Sequence, residues 1–148
     1  MTFHIAQINV ARFRVARGSP VNADFEAALD RVNALGEGSP GFVWRMTGEG
    51  DSEDPDLTIN MTVWESLDAL AAFAYRNLDH RAIMRRRSEW FVETPACLAL
   101  WWVRAGETPT LREGLGRLEL IGRLGPTQDA FSFKQTFPPP AAGTPLKP

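Results

Sequence analysis

Of the side chains in this chain, the two histidines, His4 and His80, have the ordinary pKa, about 6.5, suited to exchanging protons near neutral pH. His80 has the richer setting. It follows a break at Asn77 to Asp79 and leads a helical run that carries Arg81, Arg85, Arg86 and Arg87 and ends in Trp90 and Phe91. An imidazole there can act as acid, base or ligand. The plainer alternative is a histidine that caps a helical turn or bonds a backbone carbonyl, since the sequence supplies no second catalytic group beside it. His4, at the chain start, reads as a surface residue. Two histidines without a cysteine or carboxylate cluster at ligand spacing argue against structural zinc. Gln7 and Asn9 sit on an apolar first strand, and Asn60 and Thr62 sit on one face of a later one. Buried amides need partners, so these four groups either bond neighbouring backbone or line a polar pocket. Trp44, Trp64, Tyr75, Trp90, Trp101 and Trp102 could stack on a flat organic molecule, although large rings more often build cores and interfaces. The arginines read as a solvated face in which Glu89 pairs with Arg85 or Arg86; an anion-binding rim is the sharper alternative. No glycine-rich phosphate loop, no G-x-S-x-G elbow and no nucleophile with an adjacent base is present.

These groups are carried by 148 residues, the size of one domain with a real core. Hydrophobic residues make up 44% and charged residues 23%, the balance of a globular protein. A net charge of −2 argues against a nucleic-acid surface and against an anionic-membrane binder. The single cysteine, Cys97, excludes an internal disulfide and fits a reducing compartment. No apolar run approaches the roughly 20 residues of a membrane span. The start, MTFHIAQINVARF, is too polar for a signal-peptide core. A cytoplasmic location is the expectation.

The elements that must position the candidate residues follow from periodicity. Phe3 to Phe13 alternates as a strand, with Ala6, Ile8 and Val10 on one face and Phe3, Ile5, Gln7 and Asn9 on the other. Phe25, Ala28, Leu29, Val32 and Leu35 recur at helical spacing after Pro20, and Gly36 and Gly38 end that helix. A second strand runs from Phe42 to Thr47, with Phe42, Trp44 and Met46 on one face. Gly48 to Pro55 reads as an exposed hairpin loop. Leu57 to Trp64 is the third strand, with Leu57, Ile59, Met61 and Val63 opposite Thr58, Asn60, Thr62 and Trp64. Ser66 caps a helix whose stripe is Leu67, Leu70, Phe73 and Ala74. Ala96 to Arg104 is a fourth strand, apolar enough to be covered on both faces. Thr110 and Glu113 open a last helix with Leu111, Leu115, Leu118 and Ile121 buried and Gly122 and Gly125 as stops. Phe131, Phe133 and Phe137 lay an extended segment on the body.

The order β-α-β-β-α-(α)-β-α predicts an α+β fold, a ferredoxin-like split βαβ with a four-stranded antiparallel sheet. Residues 1–137 form its single domain, and 138–148 a Pro-rich, disordered tail. With helices on one sheet face, the other would carry Phe3, Ile5, Trp44, Trp64 and one of Trp101 and Trp102. That is too much apolar surface for water, and a second copy meeting it sheet to sheet, a dimeric α/β barrel, is the economical cover.

The segments HIAQINVARFR, SPGFVWR, NMTVWESLDAL, HRAIMRRRSEWF, ALWWV and FSFKQTFPPP together resemble a bacterial family catalogued only as a domain of unknown function. That family sits within the dimeric α/β-barrel, antibiotic-biosynthesis-monooxygenase-like superfamily. The resemblance implies cofactor-free quinone-forming monooxygenases, haem-degrading monooxygenases, haem-dependent peroxidase relatives, or proteins without known chemistry. The haem-degrading members use a first-strand asparagine, a helix tryptophan and a following histidine as iron ligand. Asn9 and His80 match the first and last; the tryptophan position holds Leu70, with Phe73 nearby.

Two functions follow as expectations. The first is a monooxygenase-like enzyme acting on a small hydrophobic or aromatic molecule in a pocket between sheet and helices. His80 and Asn9 would be catalytic, and Gln7, Trp44, Asn60, Thr62, Trp64 and Arg81 would bind substrate. No cofactor and no metal is expected; if haem binds, His80 is its ligand. The second is a non-enzymatic homodimer that binds a small ligand or serves in stress, with neither nucleic acid nor membrane as partner.

Overall fold

In chain order the elements are β1 (Phe3–Phe13), a 3-10 turn (Pro20–Asn22), α1 (Ala23–Glu37), β2 (Phe42–Arg45), β3 (Leu57–Trp64), α2 (Leu67–Ala71), a π-helical turn (Ala72–Arg76), α3 (Leu78–Arg85), α4 (Arg87–Trp90), β4 (Phe91–Val92), β5 (Leu98–Arg104) and α5 (Leu111–Leu124). The structure, a computed structural model, describes residues 2–16, 18–47, 54, 56–93 and 97–140. The expected Gly48–Pro55 loop and the tail beyond residue 140 lie mostly or wholly outside the described residues.

Strand β1 is the axis of the sheet. It pairs antiparallel with β3 along one edge, from Ile5↔Trp64 to Arg12↔Leu57. Along its other edge it pairs with β5, from Phe3↔Arg104 to Asn9↔Leu98, and then with the two-residue β4 at Arg12 and Phe13. β2 adds to the far side of β3. Strand positions therefore run β2-β3-β1-β5, all antiparallel, which is the ferredoxin-like order. The sequence pattern locates β1 and β3 to the residue, because both alternate cleanly with a period of two. β4 escapes it, since Phe91 and Val92 continue an apparently helical run.

The two faces are covered differently from the expectation. Ile5, Trp64 and Leu100 lie on the face that packs against Leu70, Leu67 and Phe73, so the helices that follow β3 cover the side that also bears Gln7 and Thr62. Phe131, Phe133 and Phe137 complete that layer. The opposite face, with Ala6, Ile8, Met61, Val63, Ala99, Trp101 and Val103, is covered by α5 through Leu111, Leu118 and Ile121. The surface assigned from sequence to a second copy is thus sealed in large part by this chain's own helices and C-terminal segment. Trp44 also changes sides. The register passes from Phe42↔Trp64 to Trp44↔Val63, a bulge at Val43. One extra residue turns Trp44 to the α5 face and leaves Phe42 on the helix face, where it meets Trp64 edge-on at 5.5 Å.

Helix α5 is rotated relative to the predicted stripe. Gly114 and Arg117 are buried with Leu118, whereas Leu115 is 40% exposed. Gly114 explains the choice: a Cβ there would lie 2.8 Å from Ile8 Cδ1 and from Met61 Sδ, so glycine lets the helix settle onto the sheet. Arg117 is held by Glu113 Oε2 at 3.2 Å and donates to the Asp129 carbonyl at 2.7 Å, with its guanidinium over the Trp101 ring. The helix runs through Gly122 and stops at Gly125, whose φ is +73°.

A smaller aromatic cluster closes the end of the helix layer. Phe25 of α1 meets Phe13, Trp90 and Phe91 at 5.7, 5.5 and 5.0 Å. Arg86 stands over Trp90 and bonds Asp24 and Glu89, which ties α1 to the α3–α4 corner. The expected pairing with Glu89 therefore falls to Arg86, and Asp24 is its unforeseen second partner.

The turn into β2 depends on Gly41. Its φ is +84°, and a Cβ there would stand 2.5 Å from Ala69 Cβ. Gly41→Ala is expected to cost about 3 kcal/mol, from left-handed strain plus overpacking, read as a lowered urea midpoint.

Candidate functional site

Gln7 is buried in the middle of β1, directly opposite Thr62 of β3. Its amide nitrogen donates to Asn60 Oδ1 at 2.6 Å and to Thr62 Oγ1 at 2.9 Å. Thr62 Oγ1 also accepts from the Trp64 indole N–H at 2.9 Å. Because an indole nitrogen can only donate, Thr62 must be the acceptor there. Asn9 faces Asn60 across the ladder and is half-buried, while Asn60 is exposed. The four polar side chains singled out in the sequence thus form one row on one sheet face. Gln7, Asn60 and Thr62 bond one another rather than edge backbone, and Asn9 lies beside them on the interior strand pair.

From this row a line of rings leads to the imidazole. Trp64, oriented by Thr62, stacks on Phe73 of the π-helical turn, with centroids 5.4 Å apart and an interplanar angle of 26°. Phe73 in turn packs against His80 at 4.9 Å. Gly36 of α1 makes room for this: a Cβ on it would meet the Phe73 ring at 3.4 Å.

His80 is fixed twice by the segment before it. Asn77 caps α3, and its Oδ1 accepts the backbone N–H of His80 at 3.0 Å. The ring Nδ1 lies 3.0 Å from the Ala74 carbonyl. A carbonyl can only accept, so Nδ1 carries the proton and Nε2 is the basic nitrogen. Burial pushes the His80 pKa below its ordinary value, with the Ala74 contact opposing it. The neutral ring with a lone pair on Nε2 is therefore the form present at neutral pH. Both readings of His80 from sequence meet here, since bonding a backbone carbonyl is what prepares the other nitrogen for chemistry.

Other expected site residues lie elsewhere. Trp44 is on the α5 face, packed against the core cluster there, and does not join Trp64 on the helix face. Arg81 projects from the exposed side of α3. His4 is not a surface residue: it is half-buried opposite Val103, with a buried Nδ1. His80 and Asn9 belong to the same layer but make no direct contact among the described residues; the Trp64–Phe73 pair stands in line between His80 and the amide row. Sequence reasoning missed Asn77 and the Ala74 carbonyl. An asparagine three residues before His80 at a helix start is a legible cap signal, whereas the π-helical turn is not, because its apolar spacing fits an α-helix equally well. Among the described residues, no group of three or more His, Cys, Asp or Glu side chains could hold a metal ion.

Comparison with known proteins agrees with this architecture. A family model described as Domain of unknown function (DUF3291) matches residues 4–146. Among solved structures, Rv0793 from Mycobacterium tuberculosis superposes with a TM-score of 0.54 at 13% identity, covering 72% of this chain and 99% of its own. SnoaB, described as a cofactor-independent oxygenase from Streptomyces nogalater, gives 0.49 at 17% identity and covers 71% of this chain and 95% of its own. A putative antibiotic biosynthesis monooxygenase from Nitrosomonas europaea gives 0.49 at 14%, covering 73% and 93%. The likeness to Rv0793 shows the fold alone. No curated protein matches the sequence. No helix among the described residues is long and apolar enough to cross a membrane.

Two outcomes test this geometry. Thr62→Val strands the Gln7 and Trp64 donors and should cost about 2 kcal/mol, with Thr62→Ser recovering at least half, both measured by urea denaturation. For His80 the folded-state pKa lies below the unfolded value, so its contribution to stability is complete above about pH 6.5 and is lost as the pH falls through the folded pKa. Urea midpoints of the wild type should therefore decline more steeply below that pH than those of His80→Gln.

Proposed function

The chain belongs to the family described as Domain of unknown function (DUF3291), and on that footing we propose that it is a monooxygenase-like enzyme. Its substrate would be a small hydrophobic or aromatic molecule held between the sheet and helices α2 and α3. The observation that carries this is His80, a half-buried neutral imidazole whose Nδ1 proton is committed to the Ala74 carbonyl, leaving Nε2 as a base. His80 takes a proton from an activated methylene or hydroxyl of the substrate. Asn9 and Asn60, the less buried members of the row, orient the bound molecule and bond the charge that develops, and Gln7, itself held by Thr62, fixes Asn60. The substrate's own electrons then reduce dioxygen: an activated methylene and dioxygen become a carbonyl and water.

Haem fits this packing poorly. The position of the helix tryptophan in haem-degrading relatives is Leu70, which is buried in the core beneath the sheet. The chemistry proposed needs no prosthetic group. A homodimer forms part of the proposal, with the half-buried strip of Val10, Trp44, Met46 and Ile59 beside α5 as the contact.

Dioxygen uptake with hydroxyaromatic and benzylic-ketone substrates is the direct test. His80→Ala is expected to lower kcat about a hundredfold or more. Unchanged turnover in that variant removes the catalytic role, and a Soret band at stoichiometric haem overturns the cofactor-free chemistry.

A further inference from the structure

Three successive residues of the π-helical turn face three different parts of the molecule. Phe73 stacks on Trp64 and touches His80, the Ala74 carbonyl holds the His80 ring, and Tyr75 meets Phe133 of the C-terminal segment edge-on at 5.0 Å. That segment is laced to the outer edge of the sheet. Leu100 and Phe131 exchange backbone hydrogen bonds of 2.8 and 2.9 Å, and Trp102 Nε1 donates to the Phe137 carbonyl at 2.9 Å. Phe131 between them is fully buried, and Arg117 of α5 secures the preceding Asp129 carbonyl.

A π-helical turn is less favourable than an α-helical one and persists where tertiary contacts hold it. Here the inner brace is Phe73 and the outer brace is the Tyr75–Phe133 pair. Asn77 leaves helical geometry at ψ 119°, so the Ala74 carbonyl lies in the last turn without an intrahelical donor, and the placement of that turn is what keeps it 3.0 Å from the His80 ring. We propose that the C-terminal segment controls the tautomer of His80, with Tyr75 and Phe133 as positioning residues that act through the π-helical turn. While the segment is latched, Nδ1 carries the proton and Nε2 is basic. When it lifts, the turn loses its outer brace, the Ala74 carbonyl moves out of reach of Nδ1, and the ring loses the bond that selects the tautomer.

This regulation rests on His80 being the reactive group of the proposed site, but its test does not. Imidazole proton–nitrogen correlation spectra of the full-length, nitrogen-15-labelled protein above the His80 pKa report the tautomer directly, and His4→Gln separates the two histidines. The wild type is expected to show the Nδ1–H pattern at His80. Tyr75→Ala removes a ring that is 56% exposed and leaves the core intact; it should lose that pattern in favour of Nε2–H. Tyr75→Phe keeps the edge contact and should retain the wild-type pattern. Trp102→Phe, which deletes the latch to Phe137, should move the pattern in the same direction as Tyr75→Ala. An unchanged Nδ1–H pattern in folded Tyr75→Ala and Trp102→Phe overturns the proposal. Absence of oxygenation with an altered tautomer would instead remove the enzymatic role and leave the coupling standing.

Discussion

The centre of β1, Ile5 to Ile8, is covered on both faces, and that single constraint organises the helix-side layer. A strand with no solvent side has nowhere to place a polar side chain at low cost, because a buried amide without partners loses about 1–3 kcal/mol. Gln7 occupies the middle of such a strand and must be satisfied from within. Thr62 and Asn60 do so only when β3 pairs in the observed register; a one-residue slip would carry both to the α5 face. The amide row is therefore a register lock as well as a candidate binding surface. Its consequences pass outward. Thr62 also holds the Trp64 indole, Trp64 gives Phe73 a plane to stack on, and Phe73 positions the turn whose carbonyl holds His80.

Much of this was legible in the sequence where one local rule acted alone. The period-two alternation of Phe3–Phe13 and Leu57–Trp64 specified both strands, and Ser66 and Thr110 marked two helix starts whose side chains do accept the expected backbone N–H groups. The grouping of Gln7, Asn60, Thr62 and Trp64 on one side was equally readable, because alternation assigns sides within a strand. Which layer covers each side was not, since alternation is silent on where helices go. Both faces of this sheet are apolar enough for either cover, and the choice rests on Gly114, whose missing side chain lets α5 approach Ile8 and Met61. Trp44 was misplaced by the bulge at Val43, which breaks the alternation without altering composition.

The candidate site was half-legible for a similar reason. His80 and Asn77 stand out by residue type, but the tautomer depends on a backbone carbonyl, and carbonyls are identical in every sequence. The break at extended Asn77 leaves that of Ala74 without an intrahelical donor, and the packing of the π-helical turn aims it at His80. The stripe Leu67, Leu70, Phe73 predicts an ordinary helix over the same residues, so long-range packing of Phe73 and Tyr75 decides the outcome against local preference.

The electrostatic character of the layer narrows the chemistry further. Gln7, Asn60 and Thr62 are neutral, His80 is neutral, and Arg86 is engaged with Asp24 and Glu89 at the far corner, where those carboxylates raise its pKa. A site of fixed dipoles without charge repays little of the cost of stripping water from an ion. It suits a molecule that enters uncharged and acquires charge only when it gives up a proton. In the reaction we propose, the neutral base and the amide donors would act on the charged state and leave the ground state almost untouched, which is the condition for binding energy to lower a barrier rather than deepen a well.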